Sequence, residues 1–454
     1  MLRVAVWLCL GTLLATLTLC AQSTPQCHQK PSSKPRLFLL SDIANEPDDA
    51  QSLVRLLLYS NELQIEGLVA TTSFWLNDTT RPDQMRGIVQ GYKEVLDNLK
   101  THASGWPEPE HLFSLIASGS TIYGMEGVGN GRDSEGSEML VNAVDASDEP
   151  LWVPLWGGAN TLAQALWHVN ATRPADIDLF VSKLRVYSIS DQDNAGPWIR
   201  RNWPNLFYIS SVHAFNRYGN AAWGGDSPSL LYLIPNGLSD PEQPEWGSWG
   251  GRYGPVAWGE GHFADSIDTL VDDNGKTMMG SQVTVWRWRE AFQNDFKSRM
   301  QWTIRSHFEQ ASHAPVAIVN GSAGREVLQY VVLPEQNVVL DASKSCNPDD
   351  HGALSFKWWQ YLEPSSNLNT PKRDVTSLNL QQSNTATVTI EIPSAETLMR
   401  AGRGVHAEAD KHLHIILEVS NGGQIAYRRV ILTIKGNTSS EKTEGREQEG
   451  HDEL

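Results

Sequence analysis

The stretch that decides the fold is LFLLSDIANEPDDAQSLVRLLLYS, residues 37–60. Its first four residues are apolar and predict a buried strand. A short polar loop follows and contains Asp42; after Pro47, apolar residues recur at helical spacing. A buried strand joined by so short a loop to an amphipathic helix is typical of an α/β fold.

The same alternation continues to about residue 308. Short apolar runs predict strands at 37–40, 65–70, 113–117, 151–155 and 184–189. Longer periodic segments predict helices at 50–63, 82–100, 138–144 and 160–168. We therefore expect residues 34–310 to form an α/β domain whose mainly parallel sheet carries helices on both faces.

In the last third of the sequence, the alternation of predicted strands and helices gives way to predicted strands. From Pro315 to Lys435, β-rich runs are separated by Asn, Asp, Gly and Pro, and a helix is needed only around residues 394–401. This pattern predicts an all-β sandwich over residues 315–435.

The two ends of the sequence resemble targeting signals. Residues 1–21 have one early Arg and a long apolar run, which is typical of a signal peptide, with a signal anchor as the alternative. Residues 436–454 form a polar tail that we expect to be disordered and that ends in HDEL, a retrieval tag of the endoplasmic reticulum. We expect the protein to reside in the endoplasmic reticulum lumen, bound at times by a retrieval receptor; secretion is the second choice.

The net charge and the distribution of apolar residues limit the kinds of partner that we expect. The net charge is −17 and no basic stripe is present, which argues against nucleic acid as a partner. No other segment is apolar for long enough to enter a membrane once the signal is cleaved.

Outside the signal, Cys27 and Cys346 are the two cysteines, and their pairing is left open. Sequons for N-glycosylation occur at Asn77, Asn170, Asn320 and Asn437.

Carboxylates are crowded between the first strand and the first helix. Asp42, Glu46, Asp48 and Asp49 lie within a short loop, at the strand end where open parallel sheets bind ligands. Acidic residues also cap helices and complement the helix dipole, which is the simpler explanation for one of them. Four together repel each other unless a cation is present, and Ca²⁺ takes oxygen ligands of this kind. The stretch therefore leaves two explanations open: the carboxylates either cap the helix, or they hold a ligand, for which a metal and a sugar fit best.

Two further groups are candidates for substrate binding. Asp191, Asp193 and Asn194 follow another predicted strand, where they either bind substrate or form a polar turn. Trp249 lies in the glycine-rich segment from Pro244 to Phe263, which we expect to be a long loop. Its tryptophans either stack on sugar rings or pack the loop onto the domain.

Several of these segments resemble the nucleoside hydrolases. DIANEPDDAQSL, which begins at Asp42, is similar to their signature D-x-D-P-G-x-D-D-A-x-A-L. IEGLVATTSFWLN resembles the segment that carries their substrate-binding Asn, and VPLWGGANTLAQAL resembles their mid-sequence G-P-L-T-N-L-A segment, whose Thr carbonyl is a calcium ligand. About residues 35 to 435 more closely resemble a nucleoside-hydrolase-like family described as cellulose-binding, in which a C-terminal sandwich follows. LDASKS and WWQY within that last part resemble immunoglobulin-like domains.

The resemblance implies roles for individual residues. Asp48 and Asp49 match the paired aspartates, one of which touches the ribose and one the metal, while Ala44 stands where a further Asp is expected. The implied assignment, together with the candidates above, is catalytic Asp42 and Asp48; metal-ligating Asp42, Asp49, Asn160 (through its carbonyl) and Asp295; and substrate-binding Asn77, Asp191, Asp193, Asn194 and Trp249.

The resemblance, together with the crowded carboxylates, implies a Ca²⁺-dependent hydrolase of an N-glycosyl or related glycosidic bond. The expected ligand is a sugar-containing small molecule or a glycan, and assembly into a homo-oligomer is left open. The alternative is a carbohydrate-binding protein that has the same fold and no catalytic activity.

Overall fold

The computed structural model describes residues 27, 29, 33–212, 225–272, 274–349, 352–365, 375–401 and 410–435. The expected signal peptide and the C-terminal tail lie outside these residues. Among the described helices, none combines the length and the apolar character needed to cross a membrane.

The first two thirds of the protein alternate strands and helices. The strands are β1 (Arg36–Ser41), β2 (Gln64–Ala70), β3 (Ile116–Ser118), β4 (Leu151–Leu155), β5 (Leu184–Ser188), β6 (Phe207–Ser210), β7 (Tyr253–Pro255), β8 (His262–Asp265), β9 (Asp268–Val271) and β10 (Thr277–Gly280). The helices are α1 (Pro47–Leu58), α2 (Pro82–His102), α3 (Pro109–Ser114), α4 (Glu135–Asp145), α5 (Asn160–Thr172), α6 (Ile177–Ser182), α7 (Ala195–Asn202), α8 (Ser227–Leu233), α9 (Val283–Trp286) and α10 (Arg289–Trp302).

The large sheet has the order β3-β2-β1-β4-β5-β6-β8-β7. Its neighbouring strands are parallel except for β7, which runs antiparallel to β8. The strand order proceeds outward in one direction from β1 to β3 and in the other from β4 onward, so β1 and β4 form the switch point. Loops that leave this point diverge and open a crevice at the C-terminal edge of the sheet. Asp42, directly after β1, lies there.

Burial along β1 shows how the sheet is covered. Leu37 and Leu39 belong to a core that includes residues of α1 and α2, while Phe38 and Leu40 belong to a second core with residues of α4 and α5. Alternate residues of a strand face opposite sides, so the sheet is covered by helices on both faces. The predicted α/β fold class is confirmed.

Two sequence-based expectations in this part are corrected. The strand predicted at 113–117 starts later in the structure, because α3 extends to Ser114 and β3 starts at Ile116. The segment from Pro244 to Phe263 is not simply a long loop, since it contains β7 and the start of β8. Its glycines permit close packing: a Cβ on Gly250 would lie 2.3 Å from the carbonyl oxygen of Pro228.

The last third of the described structure is a β-sandwich. Its elements are β11 (Leu328–Val332), β12 (Asn337–Asp341), β13 (Ser355–Tyr361), β14 (Asn379–Gln381), β15 (Thr387–Glu391), α11 (Ala395–Ala401), β16 (Lys411–Ser420) and β17 (Ile425–Ile434). One sheet has the order β11-β17-β16-β13 and the other β12-β15-β14, and residues of both form one core around Trp358. The predicted sandwich is confirmed.

The α/β part and the sandwich share a buried junction. Arg429 of β17 is fully buried and donates hydrogen bonds to the carbonyl oxygens of Leu238, Trp246 and Gly247, at 2.6, 2.8 and 2.6 Å. It also donates to Nδ1 of His414 at 2.8 Å. A disulfide between Cys27 and Cys346 closes a second connection over a sequence separation of 319 residues.

Acidification is expected to weaken this junction through His414. Burial, with the nearby charge of Arg429, holds the pKa of His414 well below its ordinary value of 6.5. The unfolded protein therefore binds more protons than the folded one below that value, and stability falls as the pH falls. Measured by urea unfolding, the stability of the wild type relative to His414→Gln should decrease from neutral pH to about pH 5, because carboxyl groups elsewhere contribute equally to both proteins. His414→Gln keeps an acceptor for Arg429 and should have a flatter pH dependence; an equal slope in both proteins would exclude this role.

Candidate functional site

A cleft of about 410 Å³ opens at the C-terminal edge of the sheet, at the switch point between β1 and β4. Aromatic and acidic residues dominate its lining. The aromatic ones are Phe74, Trp75 and Trp156, and the acidic ones are Asp42, Glu46, Asp48, Asp49, Asp191 and Asp226.

Three of the acidic residues converge. Each of Asp48, Asp49 and Asp226 offers a carboxylate oxygen within 4.8 Å of the other two. Asp48 and Asp49 occupy the first turn of α1, whose positive end favours negative charge. Asp226 directly precedes α8 and is almost fully buried.

Neighbouring groups hold these carboxylates in place. Ser41 Oγ, at the end of β1, donates to Asp49 Oδ1 at 2.5 Å, and the amide of Gly225 donates to Asp48 Oδ2 at 3.3 Å. Asp42 is 2% exposed and lies beside the loop after β4, where a Cβ on Gly157 would be 2.7 Å from the amide of Asp42. Only glycine at 157 allows these two loops to approach so closely.

The cluster is electrostatically costly when its members are ionised. Burial raises the pKa of Asp42, partly offset by hydrogen bonds with Ser73 and Asp49. Burial and the charge of Asp42 raise the pKa of Asp49 well above its ordinary value. Burial and the charges of Asp49 and Asp48 do the same to the pKa of Asp226. Within the described residues, Asp42 Oδ2 and Asp226 Oδ2 are buried without a hydrogen-bond partner.

This donor set fits a hard divalent cation. All the groups are oxygens, the polar atoms left unpaired are buried, and a positive charge would relieve the mutual repulsion. Asp48, Asp49 and Asp226 could hold Ca²⁺ directly, with Asp42 adjacent.

The loop that carries Asp42 is a tight turn. Ala44 has φ 83°, a conformation that favours glycine, and the amide of Asn45 donates to the carbonyl oxygen of Asp42 at 3.1 Å. Residues held in this region are commonly found at functional sites. Ala44 offers no carboxylate to the site. The third carboxylate, beside those of Asp48 and Asp49, belongs to Asp226.

Asn160 is fully buried at the start of α5 and is not among the residues that line the cleft. Its Nδ2 donates to Thr72 Oγ1 at 3.0 Å and to the carbonyl oxygen of Ile122 at 2.9 Å. The amide group of Asn160 therefore joins the loops behind the carboxylates.

Of the three polar residues predicted after another strand, only Asp191 lies in the cleft lining. Asp193 is buried and accepts hydrogen bonds from the amides of Asn160 and Ala195, so it joins the starts of α5 and α7. Asn194 accepts from the amide of Met125 at 2.8 Å, and neither residue lines the cleft. Asp191 does line it and forms a two-point ion pair with Arg200, at 2.9 and 2.6 Å.

Two other predicted substrate residues lie outside the cleft lining. Asn77 is exposed on the loop after β2. Trp249 is 5% exposed, because the glycine-rich segment packs it into the core against Phe292. The packing explanation for Trp249 therefore holds.

Asp295 is the largest correction. It accepts hydrogen bonds from Tyr59 Oη at 2.5 Å and from Arg299 Nε at 3.0 Å, just beyond the C-terminal end of α1. Asp49 lies at the other end of that helix, about 15 Å away at ~1.5 Å per residue. Asp295 is thus a partner of Arg299 and does not join the carboxylate cluster.

Sequence reasoning missed Asp226, Phe74 and Trp75. Asp226 precedes Ser-Pro at a helix start, so locally it looks like an ordinary capping residue. Phe74 and Trp75 are 60% and 69% exposed at the mouth of the cleft, with ring centroids 4.9 Å apart. The amide of Phe74 donates to the carbonyl oxygen of Gln192 at 2.7 Å, which anchors this loop across the cleft.

Comparisons with known proteins agree with the fold. The family model for the cellulose-binding Sde182 nucleoside hydrolase-like domain matches residues 36–225 and 224–253. The model for the C-terminal domain of cellulose-binding protein Sde0182 matches residues 337–434. A search of curated proteins returned no match.

Among solved structures, a nucleoside hydrolase-related hypothetical protein from Saccharophagus degradans, associated with carbohydrate metabolism, is 33% identical. The match covers 89% of this protein and 100% of that one, with a TM-score of 0.73. A chimeric titin Z1Z2 matches at 16% identity over 28% of this protein and 99% of that one, but its TM-score of 0.16 carries no argument. The protein therefore belongs to the family of cellulose-binding Sde182 proteins, whose larger domain is nucleoside-hydrolase-like.

Proposed function

We propose that the protein is a Ca²⁺-dependent hydrolase of an N-glycosyl or related glycosidic bond in a small sugar-containing molecule. The observation that carries the proposal is the convergence of Asp48, Asp49 and Asp226 in a cleft. Buried carboxylates with unpaired oxygens are costly to keep unless they serve a ligand.

The cleft supplies the groups that such a hydrolysis needs. A divalent cation, when bound, supplies positive charge that keeps the carboxylates ionised and polarises oxygen ligands. Asp42 is the candidate general base, because burial raises its pKa toward the range in which it can accept a proton from water. Asp48 is half-buried and held by Gly225, and it is placed to accept a hydrogen bond from a sugar hydroxyl.

In the proposed reaction, the water oxygen bonds to the anomeric carbon while the bond to the leaving group breaks. The water proton passes to Asp42, and the leaving group takes the bonding electron pair. Nearby carboxylates stabilise the positive charge that develops on the sugar ring. Phe74 and Trp75 present exposed rings on which the sugar or the leaving group can stack.

The second candidate function is carbohydrate binding without turnover. The exposed aromatic pair and the absence of a carboxylate at Ala44 favour it, as does the cellulose-binding description of the family. It uses the same cleft and needs no general base.

Calorimetry and a hydrolysis screen separate the two functions. Purified protein is titrated with Ca²⁺ and then tested against nucleosides and chromogenic glycosides, beside Asp42→Asn. Ca²⁺-dependent product formation that Asp42→Asn abolishes is expected for the hydrolase. Sugar binding that is equal in both proteins, with no product, would establish the second function. If the protein bound neither Ca²⁺ nor sugar, both proposed functions would be contradicted.

We also propose that the protein works in the endoplasmic reticulum lumen, where a receptor for HDEL returns it. The disulfide between Cys27 and Cys346 supports an oxidising compartment. Deleting the last four residues is expected to move the protein from the cell extract to the medium, as measured by immunoblotting. Retention of the truncated protein in the cells would count against the tag as the cause of residence.

A further inference from the structure

The structure distinguishes three N-glycosylation sequons, at Asn77, Asn170 and Asn320. A usable site needs an exposed amide with room for an oligosaccharide and a backbone that can bring the hydroxyl of residue i+2 toward that amide. The three sites differ on both points.

Asn320 is already engaged on both sides of its amide. Its Nδ2 donates to Tyr330 Oη at 3.3 Å, and its Oδ1 accepts from the amide of Asp341 at 2.9 Å. The hydroxyl of Ser322, the third sequon residue, accepts a hydrogen bond from the buried Arg428 at 2.7 Å. A sugar on Asn320 would lie against Tyr330, so this sequon serves the turn.

Asn170 lies in the last turn of α5. It is exposed, but Thr172 Oγ1 donates to the carbonyl oxygen of His168 at 2.7 Å. Residues two apart on a helix do not face each other, so the folded backbone separates the hydroxyl from the amide.

Asn77 meets both requirements. It is an exposed residue between β2 and α2, in a segment without helix or strand. Among the described residues, neither the Asn77 amide nor the Thr79 hydroxyl has a hydrogen bond that an attached sugar would have to break. Asn77 also lies outside the cleft lining, so a sugar there does not displace a cleft residue.

We propose that Asn77 carries an N-linked oligosaccharide that stands at the mouth of the cleft. A lipid-linked oligosaccharyl diphosphate is the donor. A bond forms between Asn77 Nδ2 and the anomeric carbon, the bond from that carbon to the phosphate oxygen breaks, and the amide loses one proton as the lipid diphosphate leaves. The proposal needs entry into the secretory pathway, but it is independent of any hydrolytic activity.

The position of the glycan bears on access to the cleft. Phe74 and Trp75 lie on the same short loop, three and two residues before Asn77, and both rings are largely exposed. A glycan on Asn77 would begin within three residues of these rings, and we expect it to hinder bulky ligands on that side of the mouth.

The test uses residues 1–454, which include the expected signal peptide and the C-terminal tail, expressed in eukaryotic secretory cells. Peptide-N-glycosidase treatment and peptide mapping are applied to the wild type, Asn77→Gln and Thr79→Ala, with Asn320→Gln as the matched control. Thr79→Ala removes the sequon while leaving Asn77 in place.

We expect the wild-type peptide that contains Asn77 to show Asn converted to Asp after treatment. Both sequon variants should migrate one glycan lighter than the wild type before treatment, and Asn320→Gln should migrate with the wild type. An unmodified Asn77 peptide, or an Asn77→Gln protein that migrates with the wild type, would overturn the proposal.

Discussion

Replacing Asp226 by asparagine is expected to weaken Ca²⁺ binding on the order of 100-fold, about 2.7 kcal/mol. The substitution keeps the shape of the residue and removes one of three converging negative charges. Without Ca²⁺ the variant should be more stable than the wild type, because burial and repulsion raise the pKa of Asp226 well above its ordinary value. A carboxyl group with a raised pKa destabilises the folded state at neutral pH, and asparagine removes that cost. Calorimetry measures the affinity, and thermal unfolding with and without Ca²⁺ measures the stability.

Asp295→Asn is the matched control. The resemblance implies Asp295 as a metal ligand, but the structure places this residue beside Tyr59 and Arg299. Its Ca²⁺ affinity should equal that of the wild type, although the lost ion pair with Arg299 lowers stability. If Asp295→Asn lost Ca²⁺ binding and Asp226→Asn retained it, the assignment of the metal site to Asp48, Asp49 and Asp226 would be wrong.

Arg429→Met is expected to destabilise the protein by about 3–5 kcal/mol. Methionine fills a similar volume, but it leaves the carbonyl oxygens of Leu238, Trp246 and Gly247 without their donor at the junction. Burial, with the neighbouring charge of Arg287, lowers the pKa of Arg429 to about 9, so the guanidinium still donates at neutral pH. Urea unfolding monitored by tryptophan fluorescence gives the free energy.

The control for Arg429 is a surface arginine. Arg173 is partly exposed and pairs with Asp145, which is more exposed still. Exposed pairs contribute at most about 1 kcal/mol, so Arg173→Met should unfold close to the wild type. Equal losses in the two variants would mean that the buried hydrogen bonds of Arg429 add nothing beyond an ordinary arginine.

Periodicity predicted much of the fold because it depends on neighbours in sequence. The strand at 37–40 and the helix at 82–100 agree with β1 and α2 to within two residues. The strand order could not be predicted, because the pairing of β1 with both β2 and β4 depends on contacts between residues far apart in sequence. The position of the cleft at the switch point follows from that order.

The candidate site was predictable where its residues follow a strand that the pattern reveals. Asp42, Asp48 and Asp49 meet this condition, and the structure places all three in the cleft. Asp226 does not, because local sequence cannot distinguish a helix-capping Asp from one that faces other carboxylates.

Exposure of aromatic residues was equally hidden from the sequence. The glycines around Trp249 suggested an open loop, yet they allow tight packing that buries the ring. Phe74 and Trp75 follow a buried strand without any unusual composition, and only the tertiary structure shows that they are exposed.

The disulfide between Cys27 and Cys346 has a consequence for biosynthesis. Its two cysteines are 319 residues apart, so at about 5–20 residues per second the ribosome releases the second roughly 16–64 s after the first. During that interval Cys27 cannot form its disulfide with Cys346, while the strands and helices between the two cysteines emerge. The bond can form only after Cys346 has emerged, so formation of this disulfide marks a polypeptide whose α/β part has already been synthesised.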